Sequence, residues 1–131
     1  MFVITNPTSS AGSANDSVAH TFYLDSKAKV GQYLKSVEDN YSNINPLVID
    51  RNGSISAIVI SNRLGELDQF SFALHVNGVQ VYSNSKPAGV TRFEYTGLNL
   101  SISIGDEISV RIFNLLDDID HPKCTVFFRN S

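Results

Sequence analysis

The stretch that most constrains this chain is residues 69–83. Phe70, Phe72, Leu74 and Val76 alternate with Ser71, Ala73 and His75. That is period two, a strand with one buried face. Asn77 and Gly78 follow, then Val79, Gln80, Val81 and Tyr82. An Asn-Gly loop suits a type I′ turn, whose two central residues both need positive φ. Such a turn pairs Val76 with Val79, Leu74 with Val81 and Phe72 with Ser83. Leu74, Val76, Val79 and Val81 then share a face. A lone hairpin cannot bury that face, so a second apolar sheet must come from elsewhere in the chain.

Much of the remaining chain reads as further strands. Residues 20–24, 47–49, 54–61 and 91–95 are apolar or β-prone runs bounded by polar loops. Within residues 28–37, Val30, Tyr33, Leu34 and Val37 have helical spacing. Gly31 lies inside that run and strands surround it, so it is read as strand. Asp50, Arg51, Asn52 and Gly53 form a turn whose flanking register stays open. Leu98, Leu100, Ile102 and Ile104 alternate, Gly105-Asp106-Glu107 turns the chain, and Ile108, Val110 and Ile112 alternate again. This reads as a second hairpin. Residues 115–122 read as an acidic loop. In the closing strand Cys124, Val126 and Phe128 share one face, with Thr125, Phe127 and Arg129 on the other. Cys124 is expected to be a buried thiol. Phe127, on the polar face, is a candidate contact for another subunit.

About eight to ten short strands at regular spacing predict an all-β domain, an antiparallel β-sandwich or jelly roll. It spans residues 18–131. Residues 1–17 are expected to be a flexible N-terminal arm, because residues 5–17 have no face to bury. Phe2, Val3 and Ile4 at its tip are candidates for docking on a neighbour.

A net charge of −3 with ten scattered Lys and Arg argues against nucleic acid as a partner. No apolar run approaches the length of a membrane span, and residues 1–4 lack the charged leader of a signal peptide. Asn-x-Ser triplets at Asn15, Asn40, Asn52 and Asn99 are read as chance in an Asn- and Ser-rich chain.

Asp117, Asp118, Asp120 and His121 are the strongest cluster of potential metal ligands. Their spacing is not that of a calcium loop, and His121 with Cys124 supplies only two of four zinc ligands. A solvated acidic loop is therefore the favoured reading, and no cofactor is expected. No nucleophile elbow, phosphate loop or dinucleotide fingerprint occurs, so the chain does not read as an enzyme. Tyr23, Tyr33, Tyr41, Tyr82 and Tyr95 offer ring faces to a glycan, but tyrosines in strands more often pack.

The order of motifs carries a resemblance. "GQYL" at residues 31–34 precedes "PLVIDRNGSISAIVIS" at 46–61, "FALHVNGVQV" at 72–81, "LNLSISIGDEISVRI" at 98–112 and "CTVFFRN" at 124–130. This resembles small β-sandwich domains at fibre tips and on capsid or tail surfaces of tailed bacteriophages. They are distantly similar to the trimeric jelly rolls of C1q and tumour necrosis factor. The resemblance implies a homotrimer on a virion surface, made in the host cytoplasm, with the major capsid protein or another virion component as partner. No Gly-x-y repeat or coiled-coil shaft precedes the domain, which favours a capsid decoration (cement) or head-fibre protein. A fibre-tip domain that binds a host receptor or surface glycan is the alternative.

Overall fold

The computed structural model describes residues 17–24, 27–29, 31–35, 46–63, 67–113 and 119–130. Residues 1–16 of the expected arm, with Phe2, Val3 and Ile4, lie outside them, as do Asp117 and Asp118. The described chain is all-β. Its strands are β1 (Ser17–Tyr23), β2 (Lys27–Ala28), β3 (Leu47–Val48), β4 (Gly53–Ser61), β5 (Phe70–Val76), β6 (Val79–Lys86), β7 (Arg92–Tyr95), β8 (Leu100–Ile102), β9 (Glu107–Phe113), β10 (Ile119–Asp120) and β11 (Lys123–Asn130).

Two antiparallel sheets carry the sandwich. One has the order β1-β11-β4-β7, with β8 also paired to β4; the other has the order β3-β9-β5-β6. β7 and β8 lie end to end along one edge of β4, because Ile58 pairs with Tyr95 and Ile55 with Leu100. They act as one interrupted strand. A small ladder joins β10 to β2. Phe22, Ile55, Ile58, Ile60, Cys124, Val126 and Phe128 from the first sheet meet Phe70, Phe72, Leu74, Ile108, Val110 and Ile112 from the second in one buried cluster. Sheets packed face to face in this way are a β-sandwich.

The interruption has a local cause. Ile55, Ile58 and Ile60 are all buried, yet Ile55 and Ile58 are an odd number of residues apart. A bulge at Ser56 reconciles them: Phe127 faces Ala57 and Phe128 faces Ile55, leaving Ser56 unpaired in that ladder. On the other edge, the Ser56 carbonyl accepts the Leu98 N–H at 3.0 Å, between β7 and β8.

The central hairpin forms with its Asn-Gly turn: φ is +53° at Asn77 and +81° at Gly78. Its register departs from expectation beyond Gln80. Val76 pairs with Val79 and His75 with Gln80, but Leu74 pairs with Tyr82 and Phe72 with Asn84. Val81 is the extra residue of a bulge and is exposed. Tyr82 therefore takes the inward place that strict alternation assigns to Val81. Its ring packs against Phe72 and Tyr95, with centroids 6.1 and 6.4 Å away. The Tyr95 hydroxyl donates to the Ser85 carbonyl, which ties β7 of one sheet to β6 of the other. β5 is also buried on both faces rather than one: Ser71, Ala73 and His75 are nearly inaccessible. These side chains are short or recessed between β9 and β6. Ser71 hydrogen-bonds Ser85 at 2.7 Å, and His75 shares a 3.3 Å hydrogen bond with the Tyr33 hydroxyl.

Three turns differ from the sequence reading. Residues 102 and 107 are not joined as a hairpin, since β8 pairs with β4 and β9 with β5 and β3. The Gly105 turn carries the chain from one sheet to the other. β3 and β4 likewise belong to different sheets, so no register relates them. Gly53 is the first residue of β4 rather than part of a turn. A Cβ there would stand 2.2 Å from the Arg129 carbonyl oxygen, which explains the glycine. The acidic loop is also shorter than expected, because Ile119 and Asp120 form β10. The strand expected over residues 28–37 is not continuous: β2 ends at Ala28, Gly31 is a turn residue with φ +83°, and Tyr33 and Lys35 make isolated antiparallel bridges to Arg111 and Tyr23. The Leu34 N–H donates to the Val110 carbonyl at 2.9 Å, and Tyr23 and Lys35 exchange backbone bonds of 3.0 and 2.8 Å. This segment links β9 to β1.

Candidate functional site

Two places on the described surface carry chemistry that the fold does not consume. The first is the corner where β4 ends and β10 turns into β11. Pairing of Lys123 with Ser61 brings the two segments together. The Arg63 N–H then bonds the Asp120 carbonyl at 3.0 Å, and the Asn62 N–H bonds Thr91 at 3.1 Å. His121 sits at the turn with φ +49°, a left-handed conformation uncommon for residues other than glycine.

The Asp120 carboxylate organises this corner. One oxygen accepts from Arg63 Nη1 at 3.1 Å and the other meets His121 Nδ1 at 3.1 Å. Burial pushes its pKa up. The hydrogen bonds and charges of Arg63 and His121 outweigh burial and hold the carboxyl below its usual range. Beside it opens a cleft of about 510 Å³, lined by Ser61, Asn62, Arg63, His121 and Lys123. Asn62 is only 8% exposed, and among the described residues neither its Nδ2 nor its Oδ1 has a hydrogen-bond partner. Buried amides are nearly always paired, so this one is an exception with a cost.

The second place is the opposite end of β4. There Val48, Val79 and Ile104 are 53–65% exposed. The Asn77 turn and the Gly105 turn hold this end together. The Asn77 N–H donates to the Glu107 carbonyl at 2.8 Å, and Asn77 Nδ2 donates to Asp106 Oδ1 at 3.0 Å. The bond from Asn77, with one from the Ser103 N–H, holds the Asp106 carboxyl below its usual range against a small burial effect.

Of the residues singled out in the sequence, Asp120 and His121 meet at the first place. Asp120 is engaged by Arg63 and His121, and among the described residues no group of three or more His, Cys, Asp or Glu could hold a metal ion. Phe127 is half-buried on the outer face of its sheet, between Ala19 and Ala57. Cys124 is fully buried, and burial pushes its thiol pKa up. Tyr33, Tyr82 and Tyr95 are occupied with packing rather than displayed as a platform.

Sequence reasoning missed Asn62 and Arg63, because only tertiary pairing makes them neighbours of His121, and it read Lys123, which follows His121 and Pro122 directly, only as the start of the closing strand. It also missed Lys86, which pairs opposite Phe70 and is fully buried. Its ammonium donates to the Pro87 and Val90 carbonyls and lies 5.6 Å above the Phe70 ring. Burial lowers its pKa, with Asp68 opposing.

No protein-family model matches this chain, and no curated protein is significantly similar to it in sequence.

Proposed function

We propose that this protein is a structural component of a virion surface, a trimeric capsid decoration or head-fibre protein of a tailed bacteriophage. The observation that carries the reading is the apolar end of the sandwich. Val79 and Ile104 are large, exposed and carried by two turns that are braced to each other, with exposed Val48 on the strand beside the second turn. Large apolar side chains held exposed on adjoining turns mark a contact surface more readily than ones scattered singly over a domain. A rigid end suits docking, since little order remains to be lost on binding. The sandwich architecture and the motif order described above support the same reading. Phe127, half-buried between two alanines, is a further contact candidate.

Two measurements test it. Light scattering on a size-exclusion column should give a mass near three times 14.4 kDa. Co-sedimentation with capsids should be lost when residues 1–17 are deleted, and weakened by Ile104→Asp. Undiminished capsid binding by both variants would remove the basis for this reading.

A further inference from the structure

The corner beside Asp120 holds more cationic and hydrogen-bonding capacity than its own contacts use. Asp120 takes one bond from Arg63 and one from His121. Arg63 makes that bond through Nη1 alone, so Nε and Nη2 are uncommitted among the described residues. Lys123 is exposed and has no ion pair among the described residues. Ser61 adds a hydroxyl on the same wall. Under the floor lies the Asn62 amide, with a donor and an acceptor both unpartnered among the described residues.

These groups specify a ligand class. Lys123 and the free edge of Arg63 call for one negative charge. A bare inorganic anion such as sulfate offers acceptors only at neutral pH and would leave Asn62 Oδ1 unsatisfied. A hydroxyl both donates and accepts, so it satisfies an amide on either side. A neutral sugar would leave both cations unused. We infer that this cleft binds a polyhydroxylated anion, a sugar or polyol that carries a carboxylate or a phosphate. Its charge sits between Lys123 and Arg63. Its hydroxyls meet Ser61 and the Asn62 amide, which rotates from beneath the floor to reach them. A cleft of about 510 Å³ is within the range of small-molecule sites. The site goes beyond the docking reading and does not depend on it, because it lies at the other end of β4 from Ile104.

The test is an NMR titration of the full chain with glucuronate, glycerol phosphate, glucose and inorganic sulfate. Glucuronate or glycerol phosphate should bind saturably, shift the amides of residues 61–63 and 121–123, and bind at least tenfold tighter than glucose or inorganic sulfate. Whichever of the two wins identifies a carboxylated sugar or a polyol phosphate as the source. Lys123→Gln leaves the Arg63–Asp120 pair intact and should weaken binding about tenfold, the loss of one charge-assisted hydrogen bond. Asn62→Leu should weaken binding without lowering the melting temperature, a split that a purely structural role would not produce. Equal binding of glucose or of inorganic sulfate overturns the assignment. So does the absence of saturable shifts at these amides with both polyhydroxylated anions.

Discussion

Gly53 shows how one residue is fixed by its surroundings rather than by its own backbone. It is not among the residues with positive φ. It pairs with Asn130 on one side and Ile102 on the other, and the Arg129 carbonyl carbon lies 3.2 Å from where a Cβ would be. Relief would require the backbone of a central strand to move. Gly53→Ala is therefore expected to destabilise by about 1–3 kcal/mol, the range for overpacking a rigid site. Urea denaturation of the two proteins measures it. Asn77 is the contrary case, since its turn needs a left-handed backbone that asparagine tolerates. Its side chain adds bonds to Asp106 and the Glu107 N–H at 3.0 and 2.9 Å.

At the scale of the element, two bulges set which side chains face the core. The bulge at Ser56 keeps Ile55 and Ile58 on one face, and the bulge at Val81 turns Tyr82 inward. The second makes a specific prediction. Val81 is unpaired and exposed, so deleting it leaves Val79 facing Val76 and Tyr82 facing Leu74 in a regular ladder. That deletion should cost less than about 1 kcal/mol. Tyr82→Ala should cost roughly 2 kcal/mol, because it removes a ring packed on Phe72 and Tyr95. Thermal or urea unfolding of both variants distinguishes them. A larger loss from the deletion would mean that the bulge itself, and the twist it adds, holds β6 over β7.

At the scale of the whole molecule, His75 links packing to pH. It is 7% exposed on a face that period two assigns to solvent, and burial, then the Arg111 charge, lowers its pKa below the usual 6.5. The unfolded chain takes up a proton as pH falls through about 6.5, before the folded protein does. Stability is thus complete above pH 7 and declines below it, with a slope of up to about 1.4 kcal/mol per pH unit from this group. His75→Gln should flatten that limb as pH falls below 7, read as the difference between the two proteins' urea midpoints. Asp106 and Asp120 have depressed folded pKa values, so their contributions are present above the usual 3.8 and are lost only as pH falls further. The two limbs are therefore separable.

The sequence by itself determined the class of the fold. Alternation at residues 70–76, 108–112 and 124–128 and the Asn77-Gly78 turn specify strands and their inward faces, because a strand's period is local. Tertiary structure decided which strands share a sheet. A Gly105 turn reads the same whether it closes a hairpin or crosses between sheets, and only the partners of β8 and β9 distinguish the two. The Val81 bulge was equally hidden, since its cause is packing of Tyr82 against Tyr95 rather than any local preference. Of the candidate cleft, the sequence displayed Asp120 and His121 as a titratable cluster. Arg63, which is 57 residues from Asp120 in the chain, joined them only through the pairing of β4 with β11. Asn62 looked like an ordinary loop residue, because the absence of a hydrogen-bond partner is a property of a folded surrounding.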